Sequence, residues 1–192
     1  MTVSERSVAA DSIKQYQLAK KINDYSTRSV HWDKYNLNVE KNSKRNELEH
    51  GLTHFRADDT FFSEGLDDSI HAYKNNRFTA NIINKIMTYC GEEWVSTKIS
   101  NKQVGYPDHL LRLGGFVLDY NELVILPWLK DLSRHINHGS SVCEIGGGYS
   151  CFGRMLIEEF SGKYVNIELP ESLLLANYYL RMHFPELRFY PL

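Results

Sequence analysis

The sequence predicts an α/β fold: a mainly helical N-terminal region, residues 1–138, followed by a β-α-β-α-β unit in residues 139–192. Three observations carry that expectation. Apolar residues recur at helical spacing over Thr79–Cys90 and again over Ile125–Ile136. From Ser141 onward, short apolar runs alternate strictly with helix patterns. Between the first run and its helix stands Gly146-Gly147-Gly148, where the backbone can turn sharply and approach a ligand closely.

Residues 4–25 read as a helix, with Ile13, Tyr16, Leu18 and Ile22 as its apolar set. Residues 26–48 are polar and rich in Asn and Lys, as in a surface loop or arm. Residues 46–65 carry Leu48, Leu52, Phe55, Phe61 and Phe62, and turn chemistry follows at Glu64-Gly65. In the helix Thr79–Cys90 the apolar set is Ile82, Ile83, Ile86, Met87 and Cys90. Gly91 interrupts it before a short helix over Glu92–Lys98. Gly105, Pro107, Gly114 and Gly115 predict a loop over 99–116. Asp119 or Asn121 caps the next helix, which runs to about His135 with Ile125, Trp128, Leu129, Leu132 and Ile136 in one stripe. Pro127 conflicts with a helix interior and favours a start near Leu126. Asn137-His138-Gly139 is the stop.

The α/β unit then follows in order. A strand over Ser141–Ile145 leads into the glycine turn, and a helix over Cys151–Phe160 points Phe152, Met155, Leu156 and Phe160 inward. A strand over Lys163–Glu168 buries Val165 and Ile167. Pro170 opens a second helix to His183, Pro185 closes it, and a third strand is expected over Glu186–Tyr190.

Composition narrows the function classes. With 192 residues, 42% apolar and 24% charged, the chain is ordinary for a soluble globular protein. A net charge of −2 gives no electrostatic case for nucleic acid. Cys90, Cys143 and Cys151 form no CxxC pair, so neither a zinc site nor a disulfide framework is indicated. No apolar window is long enough to span a bilayer, and the first residues lack a signal-peptide core. The expected location is cytoplasmic.

The glycine turn decides the ligand. A dinucleotide G-x-G-x-x-G fails at its third position, where Cys151 stands, and Glu144 precedes the turn. A P-loop needs Lys-Ser/Thr where this chain has Arg154-Met155 after Gly153. What remains is acid-x-Gly-x-Gly after an apolar strand, Glu144, Gly146 and Gly148, with a second acid, Glu168, at the tip of the next strand. That arrangement suits a nucleoside without pyrophosphate. The turn gives backbone approach, a strand-tip carboxylate accepts from both ribose hydroxyls, and a negative environment favours an ammonium group.

This pattern resembles the class I S-adenosylmethionine-dependent methyltransferases, whose Rossmann-like sheet would begin with the β-α-β-α-β half seen here. The strings VCEIGGGYS and NIELPESLLLANYYL are similar to the sugar O-methyltransferases, a bacterial group associated with polysaccharide and glycan biosynthesis. HFRADDTFFSEGLDDS and Val104-Gly105-Tyr106-Pro107 resemble that group's region ahead of the core. The resemblance implies S-adenosyl-L-methionine as cofactor, no metal, and methyl transfer to a hydroxyl of a sugar or glycan precursor. Carried over, Glu144, Gly146 and Gly148 line the cofactor's methionine end, and Gly147 and Tyr149 shape the turn. Glu168 holds the ribose and Leu169 lies beside the adenosine.

Two departures accompany it. Ser150 replaces a third glycine and is expected to cap the following helix. The chain also ends as the third strand ends, so the expectation is a fragment or truncated frame whose first strand, suited to burial on both faces, becomes an edge. That leaves a second reading, a non-catalytic remnant or interaction module that self-associates through the incomplete sheet. A general base is expected beyond residue 192. Elsewhere, His50 and His54 are expected to face solvent rather than bind metal, Cys151 to be structural, and Tyr178 and Tyr179 to pack. Arg56 is open between an acidic substrate and an ion pair with Asp58 or Asp59.

Overall fold

The computed structural model describes residues 3–22, 48–57, 76–100, 102–107, 110–113 and 116–190. The chain is α/β, dominated by helices around a small parallel sheet. Helices α1 (Val3–Ile22), α2 (Leu48–Thr53), α3 (Asn76–Cys90) and α4 (Glu92–Lys98) come first. A hairpin of β1 (Leu110–Leu113) and β2 (Phe116–Asp119) leads into α5 (Tyr120–Leu132). Strand β3 (Val142–Ile145), helix α6 (Cys151–Phe160), strand β4 (Tyr164–Ile167) and helix α7 (Pro170–His183) complete the fold. Among the described residues no helix is long and apolar enough to cross a membrane. The polar stretch 26–47, Phe61, Phe62 and the turn after them lie outside the described residues.

The hairpin corrects the expected loop over 99–116. Leu110 stands opposite Asp119 and Leu113 opposite Phe116 in an antiparallel pair. Gly105 and Pro107 do lie in a turn segment ahead of the hairpin, but Gly114 and Gly115 fall between two paired runs, and pairing is invisible to local composition. Helix α5 is also longer at its start than Pro127 suggests. The Asp119 carboxylate accepts from the amides of Asn121 (2.7 Å) and Glu122 (3.3 Å), so this cap fixes the start at Tyr120 and leaves Pro127 inside the helix. Its buried arc runs through Glu122, Leu123, Ile125, Leu126 and Leu129. Trp128, expected inside, lies beyond the edge of that arc and is 65% exposed.

Strands β3 and β4 are parallel, pairing Val142 with Tyr164, Glu144 with Asn166 and Ile145 with Ile167. Their faces are unequal. Val142, Glu144, Tyr164 and Asn166 are partly buried, whereas Ile145 is 81% exposed, Ile167 50% and Val165 44%. The expectation that Val165 and Ile167 are buried is therefore wrong. Alternation in a strand fixes only that neighbours point oppositely, and here the covered face is the one carrying the polar side chains. The third strand is absent too. Turn and bend geometry occupies 185–187, and residues 188–190 have no ladder partner. Phe189 instead packs against the core, with the Arg181 guanidinium 5.2 Å from its ring centre.

Two apolar clusters hold the fold together. One joins α1, α2 and α7 through Ala9, Tyr16, Leu48, Leu52, Leu174 and Tyr178. The other joins α3, α4, α5 and α6 through Ile83, Val95, Leu126, Leu129, Met155 and Phe160. Tyr149 and Tyr164 pack against both clusters, so the glycine turn sits where they meet.

Candidate functional site

The turn begins as a continuation of the sheet. The Gly146 amide donates to the Ile167 carbonyl at 2.9 Å, one step past the last strand pair. Gly146 and Gly148 then adopt φ of 75° and 53°, a region open to glycine at little cost. Gly147 is confined by its neighbours' side chains instead. A Cβ there would lie 2.7 Å from Glu144 Oε2 and 2.8 Å from Asn166 Oδ1, closer than packed atoms approach.

The two acids take different positions. Glu168 at the tip of β4 closes the turn: its Oε2 accepts from the Gly148 amide at 3.0 Å and its Oε1 from the Leu169 amide at 2.7 Å. Both oxygens retain a further lone pair. Glu144 projects from β3 toward α6 and accepts from the Tyr164 hydroxyl. Burial, with a smaller contribution from the Glu168 charge, raises its pKa, and the Tyr164 hydrogen bond opposes that shift.

Ser150 does not cap α6 as expected. It has φ of 65° and no side-chain cap bond. Its hydroxyl oxygen accepts from Asn166 Nδ2 at 2.8 Å and lies 3.2 Å from the Tyr164 hydroxyl. β4 thus braces the turn through Tyr164 and Asn166. Tyr149 turns inward, edge-on to Phe55 at 5.2 Å and Tyr179 at 5.1 Å between ring centres. The sequence-predicted set is therefore gathered at one turn, with Glu144 beside Gly147, Glu168 on the Gly148 amide and Leu169 next along the chain. Tyr164 and Asn166 were missed, although an asparagine in the middle of a short strand is itself unusual.

Behind the turn lies a buried ionic cluster. Arg56 pairs with Asp119, both almost fully buried, and donates to the Val104 carbonyl at 3.0 Å. It also lies 5.6 Å from the Tyr149 ring centre and 5.9 Å from that of Tyr179. It pairs with Asp119, whereas Asp58 and Asp59, the partners expected for it, lie outside the described residues. Arg154, whose side chain is 1% exposed, pairs with Glu122 at 3.6 Å and Glu158 at 2.5 Å. The signal for this pair was present: Arg154 and Glu122 are each a charge on an otherwise apolar helix face. Burial pushes the Cys151 thiol up to about 11, the opposite of an activated thiolate, and agrees with a structural cysteine. His50 is exposed, and the described residues hold no group of three metal-ligating side chains. Tyr178 and Tyr179 are buried packing residues, as expected.

No protein-family model, curated protein or solved structure matches this chain.

Proposed function

We propose that the glycine turn binds S-adenosyl-L-methionine and that the chain belongs to a sugar O-methyltransferase, with β3, α6, β4 and α7 as part of a Rossmann-like methyltransferase sheet in a cytoplasmic protein. The observation that carries this reading is Glu168. It stands at the strand tip with its Oε2 on the Gly148 amide, and Glu144 stands on the preceding strand, so the turn offers two carboxylates to the ammonium and ribose diol of one nucleoside. Methyl transfer needs chiefly alignment of the sulfonium carbon with a hydroxyl, and the chain's part is to hold the cofactor rigidly. The braces from Tyr164 and Asn166 serve that. The test is to follow the amide resonances of Gly146, Gly147 and Gly148 while adding S-adenosylmethionine, S-adenosylhomocysteine and NAD. Saturable shifts with the first two alone support the reading; no shift, or shifts with NAD alone, removes it.

The exposed sheet face favours a second reading, an interaction module. Among the described residues, Cys143, Ile145, Val165 and Ile167 form an exposed apolar patch, and β3 and β4 pair only with each other. Sedimentation at rising concentration separates the two. Association that an Ile145→Lys, Ile167→Lys variant abolishes, in a chain that ignores S-adenosylmethionine, supports the module.

A further inference from the structure

The turn at Gly105-Tyr106 carries a residue that its backbone does not favour. Tyr106 has φ of 50°, a conformation uncommon outside glycine and asparagine. The preceding Gly105 cannot carry a side chain either, since a Cβ would lie 2.6 Å from the Phe55 ring. The turn is pinned by the Arg56 amide donating to the Gly105 carbonyl at 2.9 Å. Held this way, Tyr106 stacks on His54 with ring centres 4.4 Å apart and planes 11° from parallel, and His54 in turn lies 4.2 Å from His50. With His54 stacked on its ring, Tyr106 remains 47% exposed.

His54 is also held through its Nδ1. Its Nδ1 faces the His50 carbonyl at 3.1 Å, an oxygen that can only accept, and the Thr53 hydroxyl at 2.9 Å. The Thr53 hydroxyl donates its own proton to that same carbonyl at 2.9 Å, leaving it as an acceptor toward Nδ1. A neutral His54 that donates from Nδ1 to that carbonyl keeps its lone pair at Nε2. The next residue, Phe55, packs against Tyr149 of the glycine turn, so this stack and that turn share a wall.

We propose that Tyr106 and His54 form a binding platform for a saturated, hydroxyl-bearing ring of the pyranoside type. Such a ring has an apolar C–H face that lies on an aromatic ring and hydroxyls that donate to an imidazole nitrogen. Its role as the methyl-acceptor site rests on the methyltransferase reading; the binding itself does not. The experiment uses the full chain without S-adenosylmethionine. Methyl glycosides of glucose, mannose, rhamnose and N-acetylglucosamine are titrated while the Tyr106 and His54 ring signals are followed by NMR. At least one glycoside is expected to shift both rings saturably. Tyr106→Gly is expected to weaken that binding at least about tenfold, with Tm unchanged or higher because glycine suits the backbone there. His54→Phe, which keeps a stacked ring and removes Nε2, is expected to weaken it as well. Glycosides that shift neither ring, or shifts that survive in Tyr106→Gly, would overturn the proposal. So would a fall in Tm in that variant, which would assign the ring to packing. Because no cofactor is present, failure of the methyltransferase reading leaves the outcome unaffected.

Discussion

Glu168 Oε2 lies 3.0 Å from the amide nitrogen of Gly148, so the acid at the tip of β4 is joined to the loop after β3. A second bond, from the Leu169 amide to Oε1 at 2.7 Å, fixes the carboxylate's orientation. Hydrogen bonds to a charged group are worth about 1.5–3 kcal/mol each when shielded, less where water reaches them. Glu168→Ala is expected to cost about 1–2 kcal/mol of stability in urea unfolding. It should also remove S-adenosylmethionine binding under the proposed function. Glu168→Gln, which keeps one of the two acceptor oxygens and sets an NH2 against the other amide, should recover only part of the stability and little of the affinity.

Glu144 gives a pH prediction. Its folded pKa is raised above the ordinary carboxylate value, mainly by burial and secondarily by Glu168, with Tyr164 opposing. The folded state therefore holds a proton that the unfolded state releases, and stability declines as pH rises from the ordinary value through the folded one. Tyr164→Phe removes the opposing hydrogen bond and should move the Glu144 carboxyl titration, read by carbon NMR, to higher pH. An unmoved titration would show that the hydroxyl does not hold this carboxylate.

Arg154 is expected to be the most sensitive charge in the molecule. Removing it strands Glu122, whose pKa burial already raises and whose neighbours Arg154 and Arg56 lower it. Arg154→Met should cost about 3–5 kcal/mol, the range for breaking a buried ion pair on one side. Adding Glu122→Gln should return a large part of it, and the double-mutant cycle in urea gives the coupling.

His183 shapes stability on the acid side. Burial, together with Arg154, Lys102 and Arg56, pushes its pKa down to about 3. The unfolded chain, near 6.5, binds a proton that the folded chain refuses, so stability is full above the unfolded value and declines as pH falls toward 3. His183→Gln should flatten the urea midpoint between about pH 6.5 and pH 4 relative to wild type. A parallel slope in both proteins would refute the assignment.

Local chemistry announced some of this molecule and not the rest. The Gly91 break, the Asp119 cap, the glycine turn and the Pro170 helix start each depend on residues within a few positions, and all are found where the sequence put them. The β1–β2 hairpin, the covered face of β3 and β4, and the partners of Arg56 and Arg154 depend on residues far apart in the chain. Arg56 meets Asp119, and Arg154 meets Glu122. Within the candidate site, the glycines and both acids were readable as a motif. The bracing by Tyr164 and Asn166 was not, because it depends on which strand face turns toward α6.

The contact between α1 and α7 sets a timetable for synthesis. Ser12 donates to Asn177 at 3.1 Å and Tyr16 to Glu171 at 3.4 Å, so α1, once synthesised, awaits a partner more than 150 residues downstream. At about 5–20 residues per second, that wait is roughly 8–30 s. During it the nascent chain shows Ala9 and Tyr16 without α7 to cover them. A holding chaperone would therefore raise the yield of folded protein more when present during translation than when added afterwards.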